Sequence, residues 1–372
     1  MTNTAGTSQR VGWGVDVSGE TPFANLTKRK FARDETLVLV DGRGIAYRAY
    51  HSKPILQATN GTPTAALFGM LETLSLLLDA ANTSRVCLSW DGSVAYKRKV
   101  FSGYKSRHDR TRTPEEQAEH DRSQKAIAIA RRTIESIGVP SVHVPEIETD
   151  DAIGVLANLA ASLAGKARDF PKRVLVVADD KDYYQLIRPG VDGVGEVLVW
   201  RTGYAEAIDA ATMLERTGLR PDQWADFKAL VGESATGDHI PGVDGIGEKT
   251  ATKFIATHGS LEAAIAYAKK AYQTAKPKPM KSEVALATSA EIARRAYVLS
   301  KIAPDVAYLA KTYGLDAASI TPKIHSAIKA SVAPRTIDVA ALRRTLAMYE
   351  IGSLPAETLA RRLGFSIPDG PR

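Results

Sequence analysis

The sequence predicts an α/β fold on a parallel sheet, followed by an almost wholly helical region. Short apolar runs alternate with helical patterns from residue 37 to about 200. Three of these runs lead into an aspartate: Leu37-Val38-Leu39-Val40 into Asp41, Val86-Cys87-Leu88-Ser89-Trp90 into Asp91, and Val174-Leu175-Val176-Val177 into Asp179. From about residue 205 the strand-like runs cease, and Pro221, a glycine cluster at 242–247 and Lys276-Pro277-Lys278-Pro279 punctuate helical spacing.

Strands are expected at 37–41, 86–91, 140–144, 174–178 and 196–200. Between them, Ala65 to Ala81 repeats apolar residues at helical spacing. Pro114 to Ile137 opens with Thr113 as N-cap, Pro114 at the first helical position and Glu115-Glu116 in the first turn. Thr149 to Ala164 is a further helix. This alternation argues a parallel sheet covered on both faces. The expected division is an extension over 1–34, an α/β core over 35–204, a helical region over 205–305 and a helical C-terminal extension of unassigned role over 306–372. The first segment is rich in Thr, Ser, Gly and Asn and reads as disordered, with a basic triplet Lys28-Arg29-Lys30. Arginine pairs at 294–295, 343–344 and 361–362 read as solvated faces.

Charged residues make up 24% of the 372-residue chain and the hydrophobic set 44%, as in ordinary globular proteins. No apolar stretch approaches membrane-spanning length and the N-terminus lacks a secretory core, so no membrane partner is expected. The single cysteine, Cys87, lies in a strand-like run as a small buried apolar residue, which fits a reducing cytoplasm. The net charge is +7 and the pI near 9.3, despite the acidic clusters. The basic excess elsewhere favours a polyanionic partner, against the plainer alternative of a basic surface kept for solubility.

The chemistry concentrates in four acidic groups: Asp41, Asp91, Glu148-Thr149-Asp150-Asp151 and Asp179-Asp180-Lys181-Asp182. In a parallel sheet, residues at the carboxyl ends of strands converge where ligands bind. Singly, the run at 148–151 reads equally as an acidic helix cap and the run at 179–182 as an acidic turn. Together they call for cations, and hard oxygen donors suit Mg²⁺ or Mn²⁺. Two ions about 4 Å apart would activate a water and steady a leaving oxygen of a phosphodiester. No His/Cys set has zinc spacing and no Gly-x-Ser-x-Gly elbow appears, which leaves other hydrolytic chemistries poorly supported.

Two further segments point to nucleic acid. Residues 97–112 hold Lys97, Arg98, Lys99, Lys105, Arg107, Arg110 and Arg112 against Asp109 alone, with Phe101 and Tyr104 interleaved. Charge of this kind follows a backbone while rings stack on bases. A solvated basic loop is the alternative. Gly242-Val243-Asp244-Gly245-Ile246-Gly247-Glu248-Lys249-Thr250 is not a Walker A loop, since Glu248 separates Gly247 from Lys249 and no strand precedes it. A helix–glycine turn–helix fits better. The glycines let a phosphate approach, the next helix presents its free N–H groups, and Lys249 adds charge.

With these residues assembled, the chain resembles the flap endonuclease family, in particular the bacterial and phage 5′-nucleases that include the N-terminal nuclease domain of bacterial DNA polymerase I. The matching stretches are Val40-Asp41-Gly42 with Tyr47-Arg48-Ala49-Tyr50-His51, Gly61-Thr62-Pro63-Thr64 with Phe68-Gly69, Trp90-Asp91, Tyr104-Lys105-Ser106, Glu148 to Asp151, Asp180-Lys181-Asp182-Tyr183, and Ile240 to Ala251. They occur in the family's order and cover roughly residues 37 to 305.

The resemblance implies a PIN-like nuclease core, a helical arch over about 92–125 and a helix-three-turn-helix DNA clamp. It implies metal-dependent cleavage of DNA with 5′ flaps, nicks or free 5′ ends, a part in replication and repair that includes RNA primers on DNA, and a monomer without a polymerase domain. Asp41, Asp91, Glu148 and Asp150, with Asp151 beside them, match the first metal group. Asp180, Asp182 and Asp238 match the second, to which Glu233 is added. Lys105 matches a basic arch residue that approaches the scissile phosphate, and Arg48 a basic residue near the active site. Tyr104, Lys97, Arg98, Gly242, Gly245, Gly247, Lys249 and Thr250 are the DNA-binding candidates, with K⁺ as a further ligand of the glycine hairpin. The chain departs from the family in three places. Glu233 and Asp238 stand five apart where the family has two aspartates three apart. His108 takes an arginine position, with Arg107 beside it as substitute. Asp179 replaces a glycine or threonine. The competing readings are a PIN-like ribonuclease, against which the duplex clamp argues, and a DNA-structure binder without catalysis.

Overall fold

The structure is a computed structural model that describes residues 31–52, 56–106, 111–164, 166, 170–191, 193–201, 207–233, 237–274 and 277–367. Strands β1 (Thr36–Asp41), β2 (Val86–Trp90), β3 (Ser141–His143), β4 (Arg173–Val177), β5 (Glu196–Trp200) and β6 (Ala207–Ile208) form one sheet in the order β3-β2-β1-β4-β5-β6. The first five are parallel, and β6 adds an antiparallel edge. Two residues are too short to leave a periodic signal, so β6 was not expected. The chain winds outward from β1 in both directions, which makes the β1/β4 boundary the point where the strand order reverses. That is where a parallel sheet opens a crevice at its carboxyl ends.

The strands are apolar on both faces because helices cover both. The connecting helices are α1 (Gly42–Ser52), α2 (Ala65–Ala80), α3 (Ala95–Val100), α4 (Pro114–Ser136) and α5 (Thr149–Leu163). Val38, Val40, Leu88 and Val177 pack under α1, α2 and α4, while Leu37, Leu39, Cys87 and Val176 pack under α5. This is the alternation of a strand divided between two cores. Gly69 lets α2 press on α1, since a Cβ there would lie 2.7 Å from that of Ala49. The start of α4 is a capping box: Thr113 Oγ1 accepts from the Glu116 N–H at 3.2 Å and Glu116 accepts from the Thr113 N–H at 3.1 Å. Its first two turns stand clear of the core, and the apolar face begins only around Ser123.

The helical region runs through α6 (Ala210–Thr217), α7 (Trp224–Val231), α8 (Glu248–His258), α9 (Leu261–Thr274), α10 (Lys281–Thr288) and α11 (Ala290–Ser300). Ala251, Phe254 and Ile255 give α8 its buried stripe. Then come α12 (Val306–Tyr313), α13 (Ala317–Val332), β7 (Arg335–Thr336), α14 (Val339–Met348), α15 (Ala356–Arg362) and β8 (Phe365–Ser366), with β7 and β8 paired in parallel. These last segments join the α/β core. Leu309, Tyr313, Ile320 and Ile324 pack on the α5 side, whereas Leu342, Leu346, Leu359, Leu363 and Phe365 cross to the α2 side.

Residues 31–34, assigned above to the extension, are part of the fold. Phe31 is buried under the Arg173 guanidinium, and Asp34 accepts from the Ser84 N–H at 2.7 Å. Lys28-Arg29-Lys30 and Lys276 lie outside the described residues. No helix among the described residues is long and apolar enough to cross a membrane.

Candidate active site

Seven of the nine expected metal ligands line one open cleft of about 570 Å³ at the carboxyl ends of the strands: Asp41, Asp91, Glu148, Asp150, Asp180, Asp182 and Asp238. Each is delivered by a different local device. Asp41 ends β1, and its Oδ1 accepts from the Gly44 N–H at 2.8 Å as α1 begins. Asp91 follows β2 and accepts from the Thr149 N–H at 3.1 Å, which pins it to the start of α5. Gly92 permits that approach, because a Cβ there would meet the carbonyls of Val144 and Ile147 at 2.2 and 2.4 Å. Glu148 is the N-cap position of α5, and Asp150 sits in its first turn. Asp180 caps the short 3₁₀ helix Lys181–Leu186, its carboxylate accepting from the Asp182 N–H at 2.8 Å. Asp238 comes from the turn between α7 and the glycine hairpin.

This crowding has an electrostatic cost. Burial, then repulsion from Asp91, Asp180 and Asp179, raises the Asp41 carboxyl to about 7. Burial and Asp180 raise Asp182 to about 7 against the pull of Lys228. Burial also lifts Asp238 to about 6, although Lys105 opposes it. Asp150 is driven up by burial even with Lys97 beside it. For Glu148, burial pushes the same way, but Lys97 and Lys105 outweigh it and hold the carboxyl down at about 2. No three His, Cys, Asp or Glu side chains among the described residues form a set that could hold an ion between them. The fit to divalent cations is therefore one of donor chemistry and charge. The donors are hard oxygens, and their mutual repulsion is the kind that a cation relieves.

Lys105 reaches this cleft. Its Nζ donates to Glu148 Oε1 at 2.5 Å and lies 3.9 Å from Asp238, so it spans the two acidic groups. Its backbone N–H donates to the Asp238 carbonyl at 2.9 Å, and Ser106 Oγ lies 2.7 Å from His239 Nδ1. Lys105 and His239 both adopt φ of 52°. The base of the expected arch is thus tied to the segment that carries Asp238.

Several expected roles do not survive the geometry. Lys97 is 1% exposed and lies among carboxylates, so it is not on a DNA-facing surface. Tyr104 is also 1% exposed, and its hydroxyl donates to Glu148 at 2.9 Å, so its ring is unavailable to stack on a base. Arg98 spends its guanidinium on the carbonyls of Tyr104 and Lys105 at 3.0 and 3.1 Å. Asp151 faces away from the cleft into the core, accepting from the Tyr96 hydroxyl and, at 2.6 Å, from the Ala303 N–H. Glu233 is held by Lys228 outside the cleft lining. Arg48 pairs with Asp179 at 2.5 Å, which accounts for that surplus acid, and does not line the cleft. Arg107, His108 and Arg110 lie outside the described residues.

The glycine hairpin divides in two. Gly242 packs against Val231 and Gly232, where a Cβ would come within 2.3 Å of the Val231 carbonyl, so its smallness serves the fold. Gly245, at φ +83°, and Gly247 have nothing within 4 Å of an added Cβ. Val243 and Ile246 anchor the turn, Lys249 is exposed and Thr250 half-buried, and the N-terminus of α8 has no side-chain cap.

The cleft also holds residues that the sequence did not single out. Arg43, two residues after Asp41, ion-pairs with Asp91 at 3.1 Å and donates to Gln124 at 3.2 Å. Tyr47 and His51 follow on the same face of α1, and Glu116, Glu119, His120 and Ser123 of α4 form the opposite wall. The helical spacing of Arg43, Tyr47 and His51 beside a candidate ligand was the available signal. Lys228, between Asp182 and Glu233, was masked by its apolar helix.

Residues 36–218 match the sequence profile of the 5′-3′ exonuclease N-terminal, resolvase-like domain, and residues 219–322 that of the 5′-3′ exonuclease C-terminal SAM fold. The chain belongs to the 5′-3′ exonuclease family. Among curated 5′-3′ exonuclease relatives, the thermostable DNA polymerase I of Thermus aquaticus is 34% identical over 227 residues, which is 61% of this chain and 24% of the polymerase. DNA polymerase I of Lactococcus lactis subsp. cremoris is 34% identical over 233 residues, with the same coverages. The chain thus spans about a quarter of the length of these relatives. The fold is that of bacteriophage T5 5′-exonuclease solved with zinc, at TM-score 0.63 and 19% identity over 80% of this chain and 99% of that one. A bacteriophage T5 flap endonuclease with DNA and metal ions aligns at TM-score 0.60 and 20% identity over 80% of this chain and all of the other.

Proposed function

We propose that this family member is a structure-specific 5′-nuclease that hydrolyses DNA phosphodiesters near single-strand/double-strand junctions with Mg²⁺ or Mn²⁺. The observation that carries this is the cleft itself: seven carboxylates from three strand ends, a helix start and the approach to a duplex-clamp hairpin, with Lys105 at their centre. Divalent ions held there would supply a water of lowered pKa and steady the leaving oxygen. Asp41, Asp91, Glu148 and Asp150 would hold one, and Asp180, Asp182 and Asp238 the other. Lys105, now spanning Glu148 and Asp238, is the cation placed to transfer to a phosphate when one enters. Arg43 is a second cationic group on the cleft wall.

The open turn at Gly245 and Gly247, the uncapped start of α8 and exposed Lys249 are suited to the backbone of a duplex and carry no base readout. A monovalent cation such as K⁺ at this turn and an RNA primer on DNA as substrate belong to the same proposal, as does action as a monomer.

The test is cleavage of a 5′-labelled flap duplex with Mg²⁺, with and without EDTA, mapping the product ends. A chelator-sensitive cut near the junction is the expected result. Tight binding without a cut in Mg²⁺ or Mn²⁺ would favour the binder, and preference for single-stranded RNA the ribonuclease.

A further inference from the structure

Lys97 belongs by sequence to a basic run and by structure to the acidic cluster. The turn of α3 carries it inward until it is 1% exposed, and its Nζ lies 3.1 Å from Glu148 Oε2, 3.2 Å from Asp150 Oδ2 and 3.4 Å from Asp151 Oδ2. An ammonium has three N–H donors, and here three carboxylates each present one oxygen to it. The rings of Tyr96 and Tyr104 wall the nest, with centroids 5.7 and 5.6 Å from the nitrogen. Glu148 and Asp150 also line the cleft, while Lys97 and Asp151 do not. The group is thus layered, with a buried cation and a buried acid behind two acids that face the substrate.

We propose that Lys97 is the resident cation of this cluster, a protein-supplied charge at a place where the three carboxylates would otherwise take up an additional divalent ion, and a positioning residue that keeps Glu148 and Asp150 turned to the cleft. The reading of the cleft as a metal site underlies it. Burial alone would strip the lysine of its proton, but Asp150, Asp151 and Glu148 together outweigh burial and keep it charged. One lysine among three acids leaves the nest at −2. A neutral side chain would leave it at −3, buried and uncompensated, with the donor set of a hard-cation site.

The experiment compares the full chain with Lys97→Met and with the double variant Lys97→Met/Asp151→Asn, counting bound Mn²⁺ and recording melting temperatures in chelator and in saturating Mn²⁺. In chelator, Lys97→Met should melt about 10 °C lower than the native chain. Saturating Mn²⁺ should restore most of that loss, and the variant should bind one more Mn²⁺ than the native chain. The double variant returns the nest to −2 and should bind the native number. An unchanged Mn²⁺ count with a deficit that Mn²⁺ does not repair overturns the proposal. If Lys97→Met does not fold, the double variant must fold. Failure of both makes the lysine a packing element and also overturns it. Native protein that binds no Mn²⁺ would sink the metal-site reading, and the Lys97 assignment would then stand only if Lys97→Met binds one ion.

Discussion

At the scale of the residue, position along a strand decided more than chemical type. The aspartates after β1, β2 and β4 were legible as site residues because a carboxylate at the end of a buried strand has few structural uses. Asp180→Ala or Asp150→Ala should abolish flap cleavage while duplex binding largely survives, as read by product mapping beside a binding titration. Full activity in either variant would remove the metal assignment. Lys105→Ala should slow the single-turnover rate by about 10²-fold or more, the scale of one electrostatic stabiliser in a catalytic site. An unchanged rate would take Lys105 off the catalytic set. Asp41 makes a prediction about stability. Its folded value of about 7 lies above the ordinary 3.8, so its contribution is fully present below pH 3.8 and is lost as pH rises through 7. In chelator, Asp41→Asn should therefore match the native chain in acid and gain on it towards neutrality, by at most about 4 kcal/mol above pH 7. Melting curves from pH 4 to 8 check this, and a pH-independent difference would contradict it. Asp151 and Lys97 show the limit of such reading. Nothing in an acidic pair says which acid points inward, and a lysine in a basic run does not announce that the helix bends it under two tyrosines.

At the scale of the element, the period of apolar residues placed the five parallel strands and the first long helices to within a residue or two. The capping box at Thr113 was readable because local hydrogen bonds decide it. The glycine hairpin was readable as a turn, yet its glycines have different duties: Gly242 is fixed by packing on Gly232, and Gly245 by its left-handed backbone. Lys249→Ala should weaken duplex binding about equally for all sequences and flatten the slope of log affinity against log salt by about 0.9, the loss of one phosphate contact. Binding titrations at several salt concentrations test this. An altered sequence preference would assign Lys249 to base readout instead.

At the scale of the whole molecule, the last helices are part of the nuclease core. The profile match ends at residue 322, yet Leu342, Leu346, Leu359, Leu363 and Phe365 complete the apolar layer beside α2, and Arg335 is buried between Ser84 and Leu363. Phe365→Ala should cost about 3 to 5 kcal/mol in denaturant unfolding, as for a buried aromatic ring. The native chain should unfold with the α/β core and the C-terminal segment in a single transition. A separate early transition for this segment would show an independent unit. The brace also reaches the rim of the cleft. Glu350 accepts from Thr59, and Gln57 in the same loop accepts from Arg122 of α4 at 2.6 Å.

The sequence by itself determined the alternation of strands and helices, the strand-end aspartates, the glycine turn and the ordered motifs of a 5′-nuclease, because each depends on neighbours within a few residues. Only the tertiary structure decided which acids share a cleft, which lysine is buried among them and which glycine is there for packing. It also decided that the C-terminal helices return to the first core. Those outcomes depend on contacts between segments as much as 291 residues apart, as at Thr59 and Glu350, and the sum of burial and charge that selects them exists only once the chain has folded.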